Sequence, residues 1–104
     1  MEFITKQFSE LTTTELYEII KSRTEIFLLE QKIICQDLDD IDYKSLHCFL
    51  YDEKRVAAYL RAYPSDDDWR IFTIGRVLTL EHNNGYGKRL MENSLELLKK
   101  DYNI

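Results

Sequence analysis

The sequence predicts an α/β (α+β) fold in which a mostly antiparallel sheet of about four strands is flanked by two long helices. Three observations predict this fold. A helix with its own capping signal follows a short first strand, two strand-like runs surround a charged turn, and a strand, a glycine cluster and a helix follow in the last third of the chain. Because the chain has 104 residues and a hydrophobic content of 44%, we expect one globular domain covering residues 1–104.

Residues 2–8 have the composition of a short strand, and the signals for a helix follow directly. Thr12 and Glu15 form a capping box, in which the threonine accepts from an orphan amide and the glutamate reaches back to the cap. Apolar residues then recur every three or four positions, and Arg23 falls on the same line. Two interpretations of Arg23 stay open: its charge snorkels to the edge of the core, or it anchors the acidic segment that follows.

The acidic segment, residues 36–42, contains Asp37, Asp39, Asp40 and Asp42. Their spacing is similar to that of a calcium loop, but Ile41 stands where that loop needs Asp or Asn, Asp42 where it needs glycine and Cys48 where it needs glutamate. We therefore expect no metal site here. The residue chemistry favours a solvated, turn-rich connection.

Residues 46–51 and 56–63 are predicted to be two strands of a hairpin, because a charged turn, residues 52–55, separates them. His47 lies at the start of the first of these strands, where it is either a buried structural residue or a proton carrier. A proline and an acidic run then break the chain, and we expect the next strand to begin at Trp69 or Arg70.

Residues 73–98 form the stretch around which the rest of the chain is organised. A strand leads into a cluster of Asn83, Asn84, Gly85 and Gly87, and a helix with one apolar face follows. The first amides of a helix have no intrahelical partner, so they attract anions, and Lys88 and Arg89 add positive charge in the first turn. This stretch therefore predicts an anion-binding loop.

Other interpretations of this loop differ in how well they fit. A P-loop does not fit, because Arg89 stands where Ser or Thr would follow Gly87 and Lys88. A dinucleotide-binding loop does not fit either, because Leu90 stands where the third glycine is needed. An ordinary strand-to-helix turn without a ligand stays open.

The run from His82 to Gly87 resembles the pyrophosphate loop of the GCN5-related N-acetyltransferases, which has Arg or Gln, two residues, Gly, one residue, then Gly or Ala. Residues 16–31, 36–42 and 74–77, with His47 between them, are similar in the same order to the small bacterial ElaA-type acyltransferases of that superfamily. Two departures matter: His82 replaces the usual Arg or Gln, and the sequence ends at Ile104.

The resemblance implies an acyl-CoA N-acyltransferase (GNAT-like) fold, with acetyl-CoA as co-substrate and no metal. It implies that pantetheine and pyrophosphate contact Val77, Leu78, Thr79, His82, Asn84, Gly85, Tyr86, Gly87, Lys88 and Arg89. It implies that the acceptor, a small-molecule or peptide primary amine, contacts Glu30, Gln31, Asp37, Asp39, Asp42 and His47. The catalytic acid and base stay unassigned, since residues 71–74 contain no carboxylate.

The superfamily core continues through a fifth strand, a fourth helix and two further strands, so we expect a C-terminally truncated fold in which residues 102–104 begin the fifth strand. Two functions follow from this expectation. The chain is an amine N-acetyltransferase, or it is a catalytically silent module that binds CoA or another protein. We also expect either a homodimer, because the open edge of the fourth strand invites pairing with a second copy, or a monomer of low stability that aggregates and has little turnover.

The net charge of −5 argues against nucleic acid or an anionic membrane as partner and favours a cationic substrate. The N-terminus lacks the basic and apolar regions of a signal peptide, and no apolar run is long enough to span a membrane. We therefore expect a cytoplasmic protein. Cys35 and Cys48, the two cysteines, are expected to be reduced thiols.

Overall fold

The computed structural model describes residues 1–53, 55–82 and 84–102 and has the predicted order of elements. Strand β1 (Glu2–Gln7) is followed by helix α1 (Thr13–Arg23), which continues without a break as a π-helical segment (Thr24–Glu30). Strands β2 (Leu46–Asp52), β3 (Arg55–Pro64) and β4 (Phe72–Thr79) come next, and helix α2 (Tyr86–Tyr102) follows. Single turns of 3-10 helix occur at Phe8–Glu10 and Ile41–Lys44.

The four strands form one antiparallel sheet in the order β1-β2-β3-β4, which confirms the predicted fold. The capping box at the start of α1 is also confirmed. The amide of Glu15 donates to Thr12 Oγ1 at 3.0 Å, and the amide of Thr12 donates to Glu15 Oε1 at 2.8 Å. A one-residue register shift occurs between Leu50 and Tyr51 of β2.

One helix covers each face of the sheet, and the core has two halves. On the α2 side, the buried residues are Leu46, Cys48, Leu50, Ala58, Leu60, Ala62, Leu90 and Leu98. On the α1 side, they are Ile19, Ile26, Phe49, Val56, Tyr59 and Leu78. Because β2 and β3 are covered on both faces, their apolar residues are nearly continuous in sequence instead of alternating.

Two predicted boundaries were wrong. Trp69 and Arg70 lie in a turn before β4, since the Asp68 carboxylate accepts from the amide of Arg70 at 3.0 Å and the Asp68 carbonyl accepts from Ile71. Tyr102 ends α2 instead of beginning a fifth strand, because its ring packs on Phe72 with the ring centroids 5.5 Å apart. Lys54 of the hairpin turn, Asn83 of the glycine cluster, and Asn103 and Ile104 lie outside the described residues.

Candidate functional site

The predicted anion loop is a tight turn that leads from β4 into α2. Gly85 has φ +78, and its carbonyl accepts the first helical bond, from Arg89 at 3.1 Å. The side chain of Asn84 accepts from the amide of Tyr86 at 3.2 Å. Among the described residues, the amides of Gly87 and Lys88 have no acceptor, and amides in the first turn of a helix attract anions.

The two glycines of the loop differ in what a side chain would meet there. A Cβ on Gly85 would meet nothing within 4 Å, so the positive φ, which side chains rarely adopt, favours glycine there. A Cβ on Gly87 would lie 3.4 Å from Thr79 Cγ2, so this glycine lets the helix start approach the end of β4. The space above Gly85 is open, which leaves room for a ligand to reach the loop.

The charged side chains of the loop point in different directions. Lys88 is exposed and lies 3.9 Å from Glu92 on the next helical turn. Arg89 donates to the carbonyl of Met1 at 3.1 Å. His82 Nε2 lies 3.0 Å from Glu30 Oε1, so a residue predicted to face the cofactor contacts one predicted to face the acceptor.

Strand β4 contains a bulge that the sequence did not reveal. Leu78 pairs with Tyr59 and Gly75 pairs with Arg61, so Arg76 and Val77 together face the one intervening residue of β3. Arg76 adopts φ +52, a left-handed conformation that is uncommon outside glycine. β4 is also an edge strand, so the bulge lies on an open side of the described sheet.

Next to the bulge lies an arginine–aspartate cluster, which joins α1, the acidic segment, β3 and β4. Its members are Arg23, Arg61, Arg76, Asp37, Asp39 and Asp42. Arg23 is 1% exposed and bridges Asp37 at 2.9 Å and Asp42 at 2.7 Å. Three positive charges therefore face three negative ones in a largely buried setting.

The other two arginines complete the cluster. Arg61 forms a two-pronged ion pair with Asp39, at 2.7 and 2.8 Å, and also donates to Asp42 at 3.1 Å. Arg76 Nε lies 2.9 Å from Asp37 Oδ1, and Arg76 Nη2 donates to the Asp37 carbonyl at 3.0 Å and to Asp39 at 3.2 Å. Each arginine thus touches two aspartates, which ties the bulge to the acidic segment.

The protonation equilibria of the cluster reflect these contacts. The hydrogen bonds from Arg61 lower the pKa of Asp39 to about 2, against the opposing effect of burial. Burial disfavours the charged form of Arg23, but the hydrogen bond to Asp42 and the charges of Asp42 and Asp37 together outweigh it and raise the pKa of this guanidinium. Asp39 and Arg23 therefore stay charged over the physiological range.

These contacts decide between the two interpretations of Arg23. Arg23 anchors the acidic segment, so that interpretation is confirmed and snorkelling is wrong. The acidic segment is solvated only in part, because Leu38 and Asp40 are exposed whereas Asp42 is buried and the side chains of Asp37 and Asp39 are 28% exposed. The ammonium-binding role of the three aspartates stays a prediction, and every one of them already has arginine partners.

His47 is buried beneath this cluster, with 1% of its surface exposed. Its Nε2 lies 2.9 Å from the carbonyl of Asp42, which can only accept, so Nε2 carries the proton. Its Nδ1 then accepts from the Tyr59 hydroxyl at 2.7 Å. Burial lowers the pKa of His47, and this geometry is that of a structural histidine. Its predicted contact with the acceptor stays a prediction.

A cavity of about 210 Å³ opens beside the bulge, between β4, the π-helical segment and the chain that follows it. Its apolar wall consists of Phe27, Leu28, Ile33 and Val77. Its polar wall consists of Arg23, Thr24, Cys35, Asp37 and Arg76. Asp37 and Val77 were predicted from sequence as site residues, whereas the other apolar residues of the cavity wall were missed. Their only signal in the sequence is an apolar run, residues 26–29 and 33–34, that continues past the helix end.

Two further features concern the described part of the chain as a whole. Among the described residues, no group of three or more His, Cys, Asp or Glu side chains is arranged so that it could hold a metal ion. Within the same ranges, no helix combines the length and the apolar character needed to cross a bilayer.

No family model matches the chain, but individual relatives do. A UPF0039 protein of Schizosaccharomyces pombe is 37% identical over 105 residues, which cover 98% of this chain and 69% of that protein. The protein ElaA of Escherichia coli is 35% identical over 92 residues, which cover 85% of this chain and 60% of ElaA.

Solved structures agree with these relatives. The crystal structure of Escherichia coli ElaA matches with a TM-score of 0.87 at 30% identity, over 95% of this chain and 70% of that one. An acyl-CoA N-acyltransferase from Pseudomonas aeruginosa matches with a TM-score of 0.86 at 30% identity, over 96% of this chain and 70% of that one. A GNAT-family acetyltransferase from Staphylococcus aureus, at 12% identity and a TM-score of 0.73, shows the fold alone.

The open bulged strand and the glycine loop thus occur in the fold of the GCN5-related acyl-CoA N-acyltransferases, as the resemblance implied. Within that class, the chain belongs to the family of ElaA and the UPF0039 proteins. It spans between 60% and 70% of the length of these relatives.

Proposed function

We propose that the chain is an N-acetyltransferase, or the larger part of one, which transfers an acetyl group from acetyl-CoA to a primary amine. One observation carries this proposal: the open bulge of β4 and the two available amides of the glycine loop follow each other along one edge of the molecule. A ligand with a thioester at one end and a pyrophosphate at the other needs both features. The Pseudomonas aeruginosa protein of similar structure is named as an acyl-CoA N-acyltransferase, which supports the same class of activity here.

The glycine loop supplies the binding of the pyrophosphate in this proposal. The amides of Gly87 and Lys88 point their positive dipoles at the anion, and the open space above Gly85 admits it. Because main-chain groups do this work, the exchange of the usual Arg or Gln for His82 leaves the donors intact. His82 instead holds Glu30, which joins the end of the π-helical segment to the loop.

The outer edge of β4 supplies the binding of the pantetheine arm. Val77 is 42% exposed on this edge strand, so the main-chain groups of β4 that face away from β3 can pair with the amides of the arm. The bulge turns the backbone at Arg76 and Val77, which lets one amide polarise the thioester carbonyl. The amine must attack in its neutral form, and a positioned group must take up its proton.

The alternative is a catalytically silent module that binds CoA or another protein. Calorimetry with acetyl-CoA, together with an assay for free thiol release across a panel of primary amines, separates the two. Binding with thiol release supports the transferase, and binding without release supports the module. If acetyl-CoA does not bind at all, the glycine loop serves neither the transferase nor a CoA-binding module.

The remaining partners stay predictions. We propose that, in the absence of acyl-CoA, two copies associate through the outer edge of β4, because Val77 is partly exposed there, and that this association competes with the pantetheine arm for the same edge. Light scattering that shows a stable monomer at high concentration would reject this association. We also keep the expectation of a cytoplasmic location. Nucleic acid and membrane are not expected as partners, since the net charge is −5.

A further inference from the structure

We infer that the cavity beside the bulge takes the apolar body of the acceptor, so that the preferred substrate is a primary amine on a hydrophobic group and not a polyamine or an amino acid. The inference rests on the proposed function, because it identifies the cavity beside Val77 as the acceptor side of the same site. It also reverses what the acidic segment suggests on sequence alone.

The position of the cavity is fixed by backbone geometry. Lys32 adopts φ +56 after the π-helical segment, and the amide of Ile33 then donates to the carbonyl of Phe27 at 2.7 Å. This turn brings Ile33 back against the helix end, opposite Val77 of the bulge. A group in the cavity therefore lies next to the residue where the acyl group is proposed to sit.

The apolar wall is only partly covered by the protein itself. Leu28, Ile33 and Val77 are 47%, 45% and 42% exposed, although each side chain lines the cavity. Filling the cavity with an apolar group would remove this surface from water, which favours binding of such a group. A volume of about 210 Å³ is large enough for a ring or a short branched chain.

The charges of the cavity argue against a cationic body. Among the described residues that line it, Asp37 has the only carboxylate, and its two oxygens lie 2.9 Å from Arg23 Nε and 2.9 Å from Arg76 Nε. No free negative charge is left for a second ammonium group. A cation entering here would meet two guanidinium groups and lose its hydration, which is costly when no partner compensates it.

The same charges argue against a carboxylate on the acceptor. Arg76 already touches Asp37 and Asp39, and Arg23 already touches Asp37 and Asp42. An added carboxylate would have to break one of these buried pairs to gain an arginine. The cavity therefore discriminates by shape and apolar surface, with the amine held at its mouth near the bulge.

The first experiment compares three amines with the full chain: phenethylamine, phenylalanine, which adds a carboxylate to the same body, and agmatine, which has a guanidinium on an aliphatic chain in place of the ring. NMR of the methyl groups of Ile33 and Val77 reports binding without any acyl donor. We expect phenethylamine to shift both methyl signals and to bind at least about tenfold more tightly than the other two amines. Tighter binding of agmatine or phenylalanine would overturn the inference.

The second experiment uses neighbouring isoleucines as a matched pair. Ile33→Asp introduces a free carboxylate into the cavity wall, whereas Ile34→Asp makes the same change at a side chain that is 90% exposed and does not line the cavity. We expect Ile33→Asp to weaken phenethylamine binding at least about tenfold and to strengthen agmatine binding. Ile34→Asp should change neither affinity. Equal effects of the two variants would overturn the inference, as would a change of oligomeric state in Ile33→Asp with amine binding unchanged.

The two experiments also keep this inference apart from the proposed function. Methyl shifts with phenethylamine but no binding of acetyl-CoA would reject the transferase and leave the apolar cavity standing. Acetyl transfer that prefers agmatine would leave the transferase standing and reject the apolar acceptor.

Discussion

The arginine–aspartate cluster and the glycine loop lie on the same edge of the molecule, but they are built in opposite ways. The cluster is made of side chains from four parts of the chain, and Arg23 within it is 1% exposed. The loop is made of main-chain amides within six residues, and the side chains of His82 and Asn84 in it are exposed. A side-chain network is sensitive to each of its residues, whereas a main-chain site tolerates substitution wherever the backbone conformation is kept.

The strongest test of this comparison is the loss of one arginine from each region. Arg23→Ala leaves the buried carboxylate of Asp42 with one partner fewer, so we expect the free energy of unfolding to fall by about 3–5 kcal/mol. Arg89→Ala removes an exposed contact to a main-chain carbonyl and should cost about 0.5 kcal/mol or less. Urea denaturation measures both, and similar losses would end the distinction between the regions.

The second test changes the backbone of the loop. Gly85→Val places a β-branched residue at φ +78 and fills the open space above the loop, so we expect CoA affinity to fall at least about tenfold. Gly87→Ala serves as the control, because its Cβ would meet only Thr79 Cγ2, at 3.4 Å. This substitution should lower CoA affinity less than Gly85→Val does. Calorimetry with CoA measures both. Unchanged affinity in Gly85→Val would move the anion site away from this loop.

The third test asks what holds the bulge. The pairs on either side of it fix the register of β4, so we expect the bulge to survive the loss of the Arg76 side chain. In that case Arg76→Gly should be more stable than Arg76→Ala by about 1–2 kcal/mol, because a side chain is costly at φ +52. If Arg76→Ala is equally stable or more stable, the bulge depends on the contacts of Arg76 with the aspartates.

The fourth test uses the two histidines, one under the cluster and one in the loop. Burial lowers the pKa of His47 in the native state, whereas the unfolded chain takes up a proton near pH 6.5. This contribution to stability is complete above about pH 6.5 and is lost as the pH falls below it. Urea midpoints should decline from about pH 7.5 to about pH 5.5, and His47→Gln should flatten the decline. His82→Gln, at an exposed position, should leave the decline of the urea midpoints unchanged.

The smallest effect is expected at Lys88, the most exposed cation of the loop. Its side chain is 81% exposed, so Lys88→Ala should weaken CoA binding only a few-fold, and less at high salt. Affinity measured at low and high ionic strength tests this. A large loss that ignores salt would mean that Lys88 binds the anion directly and that the amides contribute less than proposed.

The features that could be predicted from sequence are local. Thr12 and Glu15 are three residues apart, and the bond between them forms within one turn, so the start of α1 was predicted correctly. Gly85 was predicted in the turn before α2 for the same reason, since a positive φ is a property of one residue. The antiparallel sheet followed from strand-like runs joined by short turns.

The features that could not be predicted depend on distant contacts. Arg61 and Asp39 are 22 residues apart, and Arg76 and Asp37 are 39 apart, so their pairing requires the folded sheet. Within predicted strands, Arg61 and Arg76 carried no signal beyond being polar. The bulge at Arg76 was hidden as well, because a register shift depends on both strands and leaves the composition of each unchanged.

The sequential order of the sheet also has a consequence for how the chain folds. β2 and β3 are joined by a tight turn and β3 and β4 by residues 65–71, whereas β1 and β2 must close the whole segment 8–45. The entropy lost in closing a loop rises with its length, so the hairpin of β2 and β3 forms at the lowest cost and β1 joins last. The arginine–aspartate cluster, which needs residues from inside that long segment, is therefore assembled late, after the strands that carry Arg61 and Arg76 have paired.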